Sequence, residues 1–207
     1  NVWSKIMGLI SNGTTIFDAG AIDSGVAKGA LTFISKQTAS SSATISFTSG
    51  IDSTYKEYLF TFKDIHPATN SANFQVNFRD GGTDYDAVKT TTAFFAFHQA
   101  SNGNTNLTYS TASDLAQGTG FFKIMTTLGN DNEGSGAGTL RLFNPSGTTF
   151  VKHFISNCNN WHSNDSNATV NWNAAGYCNT TSAIDGVQFK MDSGNIDAGD
   201  ICLYGIS

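Results

Sequence analysis

The stretch Asn157–Asn173, NCNNWHSNDSNATVNWN, holds two tryptophans among amides and hydroxyls, with no apolar run around Trp161. That mixture suits a shallow sugar site, where an indole face stacks on the apolar side of a sugar ring while amides and carboxylates bond its hydroxyls. With 157–167 read as a loop, the candidate glycan-binding residues are Trp161 as platform and Asn159, Asn160, His162, Asn164 and Asp165 as hydrogen-bonding partners. The net charge of −5 favours a neutral sugar there. Packing roles stand beside this reading. Trp172 alternates with Val170 and reads as core, and Trp161 divides between a stacking platform and a ring packed under its own loop or into a subunit interface.

Other chemistry is weaker. Asp131 and Glu133, in GNDNEGSG, are a carboxylate pair of the kind glycosidases use, but a pair this close in one loop flanks a sugar bond less readily than a pair on facing strands. Asp80, Asp84 and Asp86 crowd a Gly-rich loop, 80–86, that could offer oxygens to calcium; it lacks the EF-hand's glycine and distal glutamate, and turn formation by Asp explains it better. Cys158, Cys178 and His162 could be read as zinc ligands, yet no Cys-x-x-Cys occurs, and buried thiols are the preferred reading, as for Cys202 between Ile201 and Leu203. If FVKHFIS (150–156) and ATVNWNAAGY (168–177) form a hairpin, Cys158 and Cys178 lie roughly 25 Å apart, beyond the ~6–7 Å a disulfide spans. His66, His98, His153 and His162 fall in separate segments, and no nucleophile elbow, phosphate loop or His-Glu-x-x-His occurs. The expectation is a chain with no catalytic residues, no cofactor and no metal.

The elements that position these residues are strands. Only 13% of the 207 residues are charged, while 39% are hydrophobic, including 16 Phe, so the chain can bury a core but carries no basic patch for nucleic acid. No apolar stretch is long enough to span a membrane. From Leu31 onward apolar residues recur at alternate positions between turn-rich links, which predicts an antiparallel β-sandwich, jelly-roll-like, over 31–207. Its expected core is Phe33, Ile45, Phe47, Tyr58, Phe60, Phe62, Phe74, Val76, Phe78, Leu140, Leu142, Phe189 and Leu203. Residues 1–30 differ. There Trp3, Ile6, Met7 and Ile10 fall at helical spacing before a Gly- and Ala-rich run, predicting either a frayed terminus with a short helix or an N-terminal arm that attaches through this apolar stripe.

Three segments, SATISFTSGIDSTYKEYLFTFKDIHPAT (42–69), GNDNEGSGAGTLRLFNPSGTTFVKHF (129–154) and GYCNTTSAIDGVQFKMDSGNIDAGDICLYGI (176–206), resemble virion structural or tail-fibre-like proteins of tailed bacteriophages, many from marine and cyanobacterial hosts. The resemblance covers most of 31–207 and brings no catalytic motif. It implies a non-enzymatic virion protein assembled in the bacterial cytoplasm, where free thiols persist, and displayed as a tail or head fibre or a capsid decoration. Further implications are a homo-oligomer, with a trimer favoured, contact with other virion proteins through the arm, and a contribution to host attachment through a surface glycan. The alternative is a glycan-degrading hydrolase of a phage appendage.

Overall fold

The computed structural model describes residues 9–11, 14–18, 21–22, 30–163 and 167–207, with side chains from residue 30 onward. The first segment forms a small antiparallel sheet, β1 (Leu9–Ser11), β2 (Thr14–Asp18) and β3 (Ala21–Ile22). Ile10 therefore lies on a strand, opposite Thr15, and not on a helix. Trp3, Ile6 and Met7 lie outside the described residues, so the attachment stripe is visible only at Ile10. The physical reason is in the neighbouring sequence: β-branched Thr14, Thr15 and Ile16 favour a strand, and Asn12-Gly13 is the strongest short hairpin signal. Together they outweigh the helical spacing at Ile10.

Twelve strands build the sandwich: β4 (Leu31–Ser42), β5 (Ile45–Phe47), β6 (Glu57–Pro67), β7 (Ala72–Arg79), β8 (Lys89–Gln99), β9 (Thr105–Tyr109), β10 (Phe122–Leu128), β11 (Gly136–Phe143), β12 (Lys152–His162), β13 (Ala168–Cys178), β14 (Gly186–Met191) and β15 (Ile196–Ile206). One layer runs β4-β15-β6-β11-β12-β13-β8-β9 and the other β10-β7-β14-β5. They join where Leu128 of β10 pairs with His162 at the end of β12, so hydrogen bonding is continuous around that edge. Every pairing is antiparallel.

The core follows from period-two alternation, which sends every second side chain between the layers. Phe189 sits at its centre, in ring contact with Phe47, Phe60, Phe62 and Phe74 at centroid separations of 5.2 to 6.3 Å. The expected core residues are buried, with one exception: Phe33 is 57% exposed. Alternation identifies the two faces of a strand without saying which is inside. In β4 the outward set is Leu31 and Phe33, and a register shift at Leu203/Tyr204 leaves Ile34 against the core instead.

All three cysteines are free thiols. Hairpin β12–β13 forms in register, pairing Cys158 with Trp172 and Cys178 with Lys152. The two cysteines are thus six register steps apart, roughly 20 Å at ~3.3 Å per residue, which bars a disulfide. Cys178 is also opposite Lys89 of β8, so a buried thiol lies between two buried lysines. Lys89 donates to the Ala87 carbonyl at 2.9 Å and Lys152 to the Thr180 carbonyl at 3.1 Å.

Candidate functional site

Asn157 to His162 is strand rather than loop. β12 runs to His162, β13 begins at Ala168, and Asn157, Asn159 and Trp161 pair with Asn173, Asn171 and Thr169. The binding loop expected over 157–167 therefore shrinks to the short connection 163–167, and Asn164 and Asp165 lie outside the described residues. Apart from Asn160, the described amides that read as loop composition lie on the outward face and bond neighbours across the hairpin and along β13. Asn157 Nδ2 donates to Asn173 Oδ1 at 2.5 Å, Asn173 Nδ2 to Asn171 Oδ1 at 2.8 Å, and Asn159 Nδ2 to Thr169 Oγ1 at 2.8 Å. Such cross-strand polar pairs support a sheet as apolar pairs do.

Alternation then divides the predicted set. Trp161 and Asn159 belong to the outward series of β12, with Asn160 and His162 on the opposite series. Asn160 is buried; its Nδ2 donates to the Thr126 carbonyl at 2.8 Å and the Trp161 carbonyl at 3.1 Å. Its Oδ1 has no hydrogen-bond partner among the described residues. Burial pulls the His162 imidazole below its ordinary pKa.

On the outer side, a concavity of about 620 Å³ is lined by Trp161, Asn159, Asn160, Glu133, His98 and Thr169, among others. Trp161 is held by the turn between β10 and β11. A Cβ on Gly129 would stand 2.1 Å from Trp161 Cζ3, and one on Gly134 would stand 2.8 Å from Cε3. The glycines of GNDNEG thus make room for the indole, while the Trp161 amide donates to the Ser135 carbonyl at 3.0 Å. Trp161 thus packs against the turn between β10 and β11 rather than under its own loop, and it also lines an open surface. Of the carboxylate pair, Glu133 lines this concavity, whereas the Asp131 carbonyl accepts a hydrogen bond from His66 Nε2 at 3.2 Å.

A second hollow of about 490 Å³ lies at the same strand ends on the inner side, lined by Phe95, Phe97, Val170, Trp172, His162 and Lys123, among others. Phe95 stacks on Trp172 with 5.2 Å between centroids, and Trp172 Nε1 donates to the Lys123 carbonyl at 3.2 Å. Sequence reading missed Phe95, Phe97 and Lys123. The available signal was AFFAFHQ (93–99), which puts phenylalanines on both faces of one strand. Comparison with protein-family models, curated proteins and solved structures gives no match to this chain. Among the described residues, no three His, Cys, Asp or Glu side chains gather as a metal site would require.

Proposed function

We propose that the chain is a non-enzymatic structural subunit of a bacteriophage virion, displayed as a fibre or capsid decoration, that assembles through the outer face of its larger layer. One observation carries this reading. Phe33, Tyr204, Leu59, Arg141, Ile155, Ala175 and Thr92 form a single row of directly opposed residues across β4, β15, β6, β11, β12, β13 and β8. Six strand spacings of ~4.8 Å make this row roughly 29 Å long. Phe33 and Ile155 are 57% and 51% exposed, and Phe94, Leu107 and Tyr109 extend the apolar surface onto β8 and β9. Exposed apolar surface of this extent, flanked by the Asn157–Asn173 amide network, supports an interface with other subunits. The phage assignment rests on the resemblance of 42–69, 129–154 and 176–206, which also favours a trimer.

The test is sedimentation of the purified chain, followed by imaging of particles that carry it. Ile155→Lys puts a second positive charge in the row, next to Arg141, and is expected to shift the oligomer to monomer at micromolar concentration while the far-ultraviolet spectrum stays that of a β protein. An unaltered sedimentation coefficient in this variant, or a monomeric parent chain, overturns the reading. Host attachment is the secondary role. Trp161, Asn159 and Glu133 around the outer concavity support contact with a surface glycan. Release of reducing ends from host polysaccharide would instead favour a hydrolase.

A further inference from the structure

The inner cavity has two unlike sides. From β8 and β13 come Phe95, Phe97 and Trp172; from β10 and the turn at 110–113 come Ser110, Ser113, Thr126 and Thr127, whose hydroxyls bond one another in pairs, Ser110 with Ser113 at 2.9 Å and Thr126 with Thr127 at 3.2 Å. Phe95 and Phe97 are only partly buried, so their rings still present surface to the cavity. Lys123 of β10 lines it as well. Its ammonium stands 5.7 Å from the centroid of the Trp172 ring, and among the described residues no carboxylate lies within ion-pair distance of it. Burial lowers the Lys123 pKa, with Asp192 acting in the opposite direction. An ammonium drawn out of water whose near partner is an aromatic face lacks an anion, and a cation–π contact replaces only part of the hydration it has lost.

We infer that this cavity binds an acidic sugar residue, a hexuronate, with its carboxylate on Lys123. The apolar face of the ring lies against Phe95 and Phe97, and its hydroxyls meet the Ser and Thr side. Each feature has one ligand group to match: aromatic surface for the C–H face, hydroxyls for hydroxyls, a cation for the carboxylate. The volume of about 490 Å³ falls within the ~300–1,000 Å³ usual for small-molecule sites. The chain's net charge of −5 does not forbid the anion, because a direct pair acts at a distance well inside the ~8–10 Å over which salt screens the remaining surface charges. This site is separate from the outer concavity, and the inference does not depend on the assembly reading.

The experiment is titration of the full chain with methyl β-glucuronide and with methyl β-glucoside, the same ring bearing a hydroxymethyl group in place of the carboxylate, followed by amide chemical shifts. The expected result is at least about tenfold tighter binding of the glucuronide, as a charge-assisted pair provides, with shifts centred on β8, β10 and β13. Lys123→Met should abolish that preference and Lys123→Arg should retain it, while Phe97→Ala should weaken both sugars; thermal melts of each variant establish that it is folded. Equal affinity for the two sugars, or binding of neither, overturns the inference. So does octanoate binding as tightly as the glucuronide with the same dependence on Lys123, which would make this a site for aliphatic acids.

Discussion

Replacing Lys89 with Met should stabilise the fold at neutral pH, by an amount that shrinks as pH rises. Lys89 is 0% exposed, and among the described residues its ammonium donates to the Ala87 carbonyl. Burial pulls its pKa from 10.5 down to about 8, opposed in part by Cys178, Asp86 and Asp80. In the unfolded chain the amine holds its proton up to its ordinary pKa; in the folded chain it releases it near pH 8. Between these values the unfolded state binds more protons, so stability rises with pH there, and the full cost of the buried charge is present below pH 8. A shift from 10.5 to about 8 corresponds to about 3 kcal/mol at pH 7, falling to about 1 kcal/mol at pH 9.5. Cys178, pushed up to about 12 by burial, acts in the opposite sense above pH 9, but it is present in both proteins and largely cancels in the difference. The assay is urea unfolding of parent and Lys89→Met from pH 6.5 to 9.5. Since losing the bond to Ala87 subtracts a pH-independent amount, the decisive quantity is the slope of the stability difference. A flat difference, or one that grows with pH, would refute the account of Lys89 as a buried, strained charge.

Phe189→Ala removes the ring shared by Phe47, Phe60, Phe62 and Phe74 and should cost about 3–5 kcal/mol in urea unfolding, the range for emptying a fully buried aromatic site. Gly129→Ala should cost about 1–3 kcal/mol through overpacking against Trp161, with a red-shifted tryptophan emission as the indole is displaced. Trp161→Ala should leave the thermal transition cooperative and reduce particle adsorption to host cells; unchanged adsorption would remove the outer concavity from host contact.

The sandwich was legible because alternation over β6, β7, β11 and β14 is clean and each buries one face. Where strands have two apolar faces the sequence is ambiguous: Phe33 reads like Phe47, yet one lies outside and the other inside, and only pairing partners decide between them. The candidate site was half legible. Trp161 stood out by composition, but the amides around it looked like loop because a ladder of asparagines across a hairpin satisfies itself through register, which a single strand does not display. The inner cavity was hidden for a related reason. Phe95, Lys123 and Trp172 are far apart in the chain, and only the meeting of β8, β10 and β13 gives them a common space.

The place of β15 has a consequence for synthesis. This strand, last of the twelve in chain order, lies between β4 and β6 and pairs with both. While the ribosome is still making residues 196–206, the first strand of the larger layer has no neighbour to bond, and β6 has only β11. The inward side of β4 and the free edge of β6 must therefore wait until β15 emerges and inserts between them. Closing the layer is a late, long-range event, of the kind that makes β proteins fold slowly.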